Sequence, residues 1–141
     1  MELTEELKKR IWNKGIEDEK YPSERVRKDA CGAYMFYDDF GDRESLFGWE
    51  IDHIYPASKL KERTDVSPEE IDNIDNLRPL HWKNNASKGA DYPFYTACLI
   101  ADEEHATNVE KNVGKVVNER VQAVLRELYN LVDQPGNGSG L

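Results

Sequence analysis

The sequence predicts an α+β domain, in which short strands are combined with capped helices. Ala33–Tyr37 and Leu46–Ile51 are rich in the aromatic and β-branched residues that favour strands. Between Asp102 and Val132, apolar residues recur at spacings of three and four, which predicts a long C-terminal helix. These strand and helix patterns together give the α+β assignment.

The chain has 141 residues, which is enough for one domain with a modest core. We expect this domain to span residues 1–133. Residues 134–141 (QPGNGSGL) are rich in glycine and polar residues, which predicts a flexible C-terminal tail. The sequence contains no internal repeat.

The first half of the chain predicts two short helices and an additional N-terminal β-hairpin. Thr4 is a favourable N-cap and Gly15 a favourable stop, so a helix of about ten residues is expected between them. Ala33–Tyr37 is followed by turn-forming residues and then by the next strand, Leu46–Ile51. A second helix is expected to begin at Ser67, because Ser-Pro-Glu-Glu combines an N-cap, a proline at the first helical position and a capping-box glutamate.

The predicted C-terminal helix carries a long apolar stripe. Its members are Val109, Val113, Val116, Val117, Val121, Val124, Leu128 and Leu131. Gly114 lies within the stripe and costs a helix about 1 kcal/mol relative to alanine. The second half of the stripe alternates by four and three residues, which is also typical of paired helices. Packing on the domain's own core is the favoured interpretation, and pairing in a homodimer or larger complex is the alternative.

The composition predicts a protein without membrane spans or cysteine-based zinc sites. Charged residues make up 33% of the chain, and no apolar run approaches the roughly 20 residues of a membrane span. The charged N-terminus lacks the apolar core of a signal peptide, so a cytoplasmic location is expected. Cys31 and Cys98 are isolated from each other, so neither a structural zinc site of paired cysteines nor a disulfide is expected.

The net charge of −9 does not favour binding to nucleic acid. Affinity for a phosphate backbone comes largely from lysine and arginine side chains that displace counterions. A bound divalent ion and a local basic patch can nevertheless dominate the electric field at a site. We therefore expect the isolated protein to bind nucleic acid weakly and with a strong salt dependence.

Two stretches carry the residues suited to phosphodiester chemistry, Gly48–Pro56 (GWEIDHIYP) and Asn76–Gly89 (NLRPLHWKNNASKG). Neighbouring side chains on a strand point to opposite faces, so Asp52 and His53 could divide the work if the strand frays into a loop, one holding a metal and the other facing solvent water. The amide oxygen of Asn85, in the first turn of a following helix, could meet the Asp52 carboxylate at a hard cation. Asn76 is well suited to bracing the loop after His53 through its amide.

The order Asp-His-Ile-x-Pro, Asn-Leu-x-x-Leu and then a helix with Asn-Asn-x-x-Lys-Gly resembles the HNH endonuclease family, whose fold is the ββα-metal finger. The resemblance covers residues 48–91. It implies that His53 is the general base and Asp52 the carboxylate ligand of the metal. It also implies that Asn76 positions the histidine loop and that Asn85 is the last motif residue, a second metal ligand.

The last motif residue is often histidine in that family, and the asparagine here resembles the variant in the HNH domain of RNA-guided CRISPR nucleases. Oxygen ligands favour Mg²⁺ or Mn²⁺ over softer ions such as Zn²⁺. Many family members carry zinc-binding cysteine pairs around the finger, whereas this chain has His81 and Asn84 near one such position. Lys83 and Lys88 resemble, more loosely, positions where the family's helix meets the phosphate backbone.

The resemblance implies a metal-dependent endonuclease that hydrolyses DNA, in a finger held together by packing alone. Two alternatives come from the acidic composition and the C-terminal stripe. One is a weakly active or silent module of the same fold that binds a protein partner. The other is a nuclease that acts only within a larger complex, whose basic partner supplies the affinity for DNA. We expect His81 to pack beside Trp82 or to make a structural hydrogen bond.

Overall fold

The computed structural model of the protein describes residues 1–132. Within them, five α-helices and three separate two-stranded antiparallel sheets form the α+β fold that the sequence predicts. In chain order the elements are α1 (Glu5–Trp12), β1 (Val26–Lys28), β2 (Tyr34–Phe36), β3 (Trp49–His53), α2 (Ala57–Lys61), α3 (Pro68–Ile71), β4 (Leu77–His81), α4 (Trp82–Lys88), β5 (Phe94–Asp102), β6 (Thr107–Val116) and α5 (Glu119–Tyr129). The predicted tail, residues 134–141, lies outside the described residues. None of the helices within residues 1–132 has the length and apolar character needed to cross a membrane.

The caps predicted from the sequence begin helices α1 and α3, whereas α2, which lies between them, was not predicted. The Thr4 hydroxyl accepts a hydrogen bond from the Leu7 amide at 3.1 Å, and α1 follows. Ser67 and Glu70 form a complete capping box at the start of α3. These contacts satisfy amide groups that the first turn of a helix leaves without partners. Both helix predictions are therefore confirmed.

The additional N-terminal hairpin is present, but its strands are β1 and β2. Val26 pairs with Phe36 and Lys28 with Tyr34, whereas the segment Leu46–Ile51 contributes to β3 and pairs elsewhere. The connection between β1 and β2 is tight, because the Asp29 carboxylate accepts the Cys31 and Ala33 amides, each at 2.9 Å. Gly32, with φ of 96°, supplies the left-handed backbone that this turn needs.

Strands β3 and β4 pair along their whole length, from Trp49 opposite His81 to His53 opposite Leu77. Helix α4 follows β4 without a linker. The His81 ring caps it, since Nδ1 accepts the Lys83 amide at 3.0 Å and the ring stacks beside Trp82. Both contacts expected for His81 are therefore found. This hairpin and helix hold the residues singled out by the sequence.

The predicted long helix from Asp102 to Val132 is wrong. The chain forms β5 and β6, turns at residues 103–106, and becomes helical only in α5. Most of the predicted stripe in this region consists of valines, whose branched side chains pack well on a pleated sheet. Gly114 also weakens a helix. His105, expected on the helix, lies in the turn, where its side chain is exposed and contacts Asp102 at 2.8 Å.

Two apolar clusters form the core. One lies between α1 and the β3–β4 pair and includes Trp12 and Trp49, both buried. The other surrounds the loop after β3 and includes Leu80, Leu125 and Tyr129. The apolar face of α5 packs on this second cluster, so packing on the domain's own core is the alternative that the structure supports.

A buried hydrogen-bond network joins α4 to its neighbours. Besides its turn, the Asp29 carboxylate accepts the His81 amide at 3.0 Å and the Asn84 side chain at 3.1 Å. The Asn84 oxygen accepts the Cys98 and Leu99 amides, each at 2.9 Å, where the pairing of β5 with β6 shifts its register. Asp29 and Asn84 have no exposed surface. The expectation that packing alone holds this region is therefore wrong.

Candidate active site

Strand β3 delivers two adjacent polar side chains to opposite faces of its sheet, as its alternation requires. Asp52 faces α4 and is 3% exposed. His53 is the last residue of the strand, and its side chain is 24% exposed. One face therefore presents a buried carboxylate, and the other presents an imidazole that solvent can reach.

Two cations contact the buried carboxylate of Asp52. Arg78, directly opposite on β4, donates from Nε at 2.8 Å, and Lys88 on α4 lies with Nζ 3.3 Å from Oδ1. The Lys88 ammonium also donates to the His53 carbonyl at 3.3 Å. Burial lowers the pKa of Lys88, and the Asp52 charge opposes that shift. The cluster therefore contains one carboxylate between two cationic groups.

Glu50 and Asn85 form a second polar contact on the same side of β3. Glu50 precedes Asp52 by two residues, so both side chains face α4. The Glu50 carboxylate accepts the Asn85 amide at 2.9 Å and pairs with Arg43 at 2.6 Å and 3.0 Å. Burial raises the pKa of Glu50, but the hydrogen bonds from Arg43 and Asn85 outweigh burial, and the net pKa is lowered.

The imidazole of His53 is held by a carboxylate that follows α3. Nε2 of His53 lies 2.7 Å from Oδ1 of Asp72. A carboxylate accepts, so the Nε2-protonated tautomer fits this contact and leaves Nδ1 with its lone pair. Within residues 1–132 no protein group hydrogen-bonds to Nδ1. This imidazole can therefore accept a proton at Nδ1 while Asp72 fixes the ring.

Asn76 braces the chain immediately after His53. The Asn76 side chain is fully buried; its oxygen accepts the Tyr55 amide at 2.7 Å, and its nitrogen donates to the Tyr55 carbonyl at 3.0 Å. The Asn76 carbonyl also accepts the Ile54 amide at 2.8 Å. These contacts are the bracing that the sequence predicts for the Asn76 amide.

The two lysines predicted to contact substrate occupy different environments. Lys83 is partly exposed on α4 and pairs with Glu110 on β6 at 3.1 Å. Lys88 is 1% exposed, and its side chain has no accessible surface. In this conformation Lys88 contacts Asp52 instead of facing a phosphate at the surface.

Strand β3 and helix α4 bring together oxygen donors of the kind that hard cations prefer. Asp52, Glu50 and the Asn85 amide oxygen are the donors present, and their chemistry fits Mg²⁺ or Mn²⁺. Lys88 lies against Asp52 Oδ1, so a cation held there requires this ammonium to move. Among residues 1–132 no group of three or more His, Cys, Asp or Glu side chains is placed to hold a metal ion.

Sequence reasoning missed three residues that contact the predicted site. Glu50 carried a usable signal, since a residue two positions before Asp52 on a strand shares its face. Arg78 could be found only from the register between β3 and β4. Asp72 had no signal, because no regular spacing relates it to His53.

Comparison with family models gives no match to this sequence, and no curated protein or solved structure matches the chain.

Proposed function

We propose that this protein is a metal-dependent endonuclease of the HNH type, hydrolysing DNA phosphodiester bonds from a ββα-metal finger formed by β3, β4 and α4. One observation carries the proposal. The imidazole of His53 is fixed by Asp72 at 2.7 Å at the end of β3, directly beside Asp52 and braced by Asn76. The order of these residues in the chain is the order of the motif that the sequence resembles.

His53 acts as the general base. Its Nδ1 atom takes a proton from the water that attacks phosphorus, and the resulting imidazolium is stabilised by the Asp72 carboxylate. Asn76 keeps the loop after His53 in place through its two contacts with the Tyr55 backbone. Positioning matters here, because misplacement of a base by about 1 Å can cost about 100-fold in rate.

Asp52 and Asn85 would hold the divalent cation, and the Glu50 carboxylate orients the Asn85 amide by accepting its hydrogen bond at 2.9 Å. When bound, the cation supplies charge stabilisation for the pentacovalent phosphate and the departing 3′ oxygen. Arg78 keeps the Asp52 carboxylate in place from the opposite strand at 2.8 Å. Lys88 must leave Asp52 Oδ1 for this state to form.

The test is cleavage of supercoiled plasmid at low salt with Mg²⁺, Mn²⁺ or EDTA. We expect nicking that requires the metal and is lost in His53→Ala. His105→Ala is the matched control, because His105 lies exposed in the turn between β5 and β6. Full activity of His53→Ala would contradict the proposed mechanism.

One observation favours a second candidate, a silent or partner-dependent module of the same fold. Both oxygens of Asp52 are already occupied, by Arg78 and Lys88. The net charge of −9 also favours a partner that supplies basic surface. A folded sample that cleaves no plasmid with either metal would favour this candidate, and its mass in solution would distinguish a complex from a monomer.

A further inference from the structure

A cavity of about 500 Å³ opens beside the loop that follows His53. It lies between α2, the turn at residues 92–93 and the C-terminal end of α5. We call it the basic groove, defined by Tyr55, Lys59, Arg63, Tyr92, Gln122 and Arg126. Its volume falls in the range of about 300–1,000 Å³ that is typical of small-ligand sites.

The charge of the basic groove is opposite to that of the whole protein. Lys59, Arg63 and Arg126 line it, and the described residues of its lining include no aspartate or glutamate. The chain as a whole carries 28 acidic and 19 basic residues. Arg63 and Arg126 pair with Asp65 and Glu119, which lie outside the lining, so within residues 1–132 Lys59 supplies the unpaired positive charge of the groove. The groove therefore favours an anionic ligand.

The three cations are held differently. Arg126 forms an ion pair with Glu119 at 3.2 Å. Arg63 is fixed by its bonds to Asp65 and to the Tyr129 carbonyl, the latter at 2.6 Å. Lys59 is exposed on α2 and makes no ion pair within residues 1–132; its ammonium lies 5.9 Å from the centre of the Tyr55 ring. Lys59 is thus the cation that can turn to a phosphate with the least loss of protein contacts.

Two tyrosines form an aromatic corner in the same groove. The ring centres of Tyr55 and Tyr92 lie 5.0 Å apart with an angle of 72° between their planes. Both side chains are partly exposed. Aromatic side chains beside cations are the arrangement that binds unpaired nucleotides, because bases stack on the rings and phosphates meet the cations.

The basic groove is joined to the candidate site by the chain itself. Tyr55 follows His53 by two residues, so their backbones are separated by about 7 Å at most. The Asn76 side chain hydrogen-bonds to both the backbone amide and the backbone carbonyl of Tyr55. A nucleic-acid strand bound at His53 would therefore lie close to this corner.

We propose that the basic groove binds an unpaired nucleotide of the DNA strand that is cut, with its phosphate on Lys59 and its base against Tyr55 and Tyr92. This inference rests on the proposed nuclease function and names the form of its substrate. A cavity of this size admits about one nucleotide, whereas a base-paired duplex cannot place a base against the rings.

The test is fluorescence anisotropy in EDTA with a labelled oligothymidine of about 12 nucleotides. We expect Lys59→Gln to weaken binding about 3- to 10-fold at low salt and to reduce the slope of log K against log salt by about 0.7. Lys61→Gln is the matched control, because Lys61 is exposed on the same helix and does not line the groove. Equal losses in the two variants would overturn the proposal.

The choice of ligand tests the base contact separately. An abasic strand with the same number of phosphates, and a duplex of the same length, should both bind more weakly than oligothymidine. Equal affinity for the abasic strand would overturn the stacking of a base on the tyrosines. Because EDTA prevents metal-dependent cleavage, these measurements report nucleotide binding in the groove even if the plasmid is not nicked. If the plasmid is nicked but Lys59→Gln leaves the salt slope unchanged, the groove proposal fails and the nuclease proposal stands.

Discussion

His53 and Asp72, which are 19 residues apart in the chain, form a hydrogen bond of 2.7 Å between Nε2 and Oδ1. The imidazole comes from the end of a strand, and the carboxylate comes from the residue that ends helix α3. The contact fixes one ring nitrogen and leaves the other available to accept a proton. Its loss should therefore free the imidazole of His53 to rotate and remove the carboxylate beside it.

We expect Asp72→Asn to reduce plasmid nicking at least about 10-fold, because the amide holds the ring less well and cannot stabilise its protonated form. The measurement is the initial nicking rate as a function of pH. Asp75→Asn is the control, since Asp75 is an exposed acid in the same segment. Equal rates for wild type and Asp72→Asn would show that Asp72 has no part in the reaction.

Removing the ammonium beside Asp52 should strengthen metal binding. In Lys88→Met the Asp52 carboxylate keeps Arg78 but loses a positive charge 3.3 Å away, so we expect Mn²⁺ affinity to rise about 10-fold or more. The free energy of unfolding should fall by about 1–3 kcal/mol, because a buried ion-pair contact is lost. Calorimetric titration with Mn²⁺ measures the first effect and urea unfolding the second.

Lys83→Met is the control for this experiment, because Lys83 lies on the same helix and pairs with Glu110 rather than with Asp52. It should leave Mn²⁺ affinity within about twofold of the wild-type value. If Lys88→Met binds Mn²⁺ no better than wild type, Lys88 does not compete for the carboxylate.

Asn76 should matter to stability as well as to activity. Asn76→Ala removes two hydrogen bonds to the Tyr55 backbone from a fully buried position, so the free energy of unfolding should fall by about 2–4 kcal/mol. Asn76→Asp keeps the acceptor for the Tyr55 amide but places a buried carboxylate oxygen against the Tyr55 carbonyl, so it should also lower the free energy of unfolding. Urea unfolding compares the variants, and a loss below about 0.5 kcal/mol in Asn76→Ala would contradict the bracing role.

The buried carboxylate of Asp29 should be needed for folding. It accepts four hydrogen bonds, from Cys31, Ala33, His81 and Asn84. In Asp29→Asn an amide NH₂ group must face two of these donors, so we expect the free energy of unfolding to fall by about 3 kcal/mol. Thermal and urea unfolding measure this fall, and Asp42→Asn, in an exposed turn, is the comparison. Equal stability of the two variants would contradict the need for the Asp29 carboxylate.

His81 should make stability depend on pH. Burial lowers the pKa of His81 below its ordinary value of 6.5, so the unfolded chain takes up a proton at a higher pH than the folded chain does. The stability that comes from keeping His81 neutral is fully present above about pH 6.5 and is lost as the pH falls toward the folded-state pKa of His81. The melting temperature of wild type should therefore drop between about pH 7 and pH 5.

His81→Asn should show a smaller drop over this range, because asparagine can still cap α4 but does not titrate. A wild-type slope in His81→Asn would show that another group titrates in this window.

Local signals predicted the elements that depend on local interactions. The caps at Thr4 and Ser67 act within one helical turn, and the alternation around Asp52 and His53 follows from strand geometry alone. These features could be located from the sequence because their partners lie a few residues away.

The remaining features depend on tertiary contacts. The valines of β6 at positions 109, 113 and 116 satisfy helical spacing, but in the fold they face Ile100, Ala97 and Phe94 of β5. The register of this pair also shifts, because two steps on β5 from Ala97 to Leu99 oppose three steps on β6 from Val113 to Glu110, which interrupts the alternation of β6. The partners of Asp52 and His53 could not be predicted either, since they depend on strand register and on the path of a loop.

The hydrogen bonds of Asn84 bear on whether the candidate site can be transferred to another protein. Its oxygen binds two amides of β5, and its nitrogen donates to the Leu99 carbonyl at 3.0 Å and to Asp29. A fragment limited to residues 48–91 would leave this buried amide without any of these partners. Residues 48–91 are therefore not expected to fold as a separate unit. Transferring the candidate site to another protein would require the β1–β2 turn and the β5–β6 pair as well.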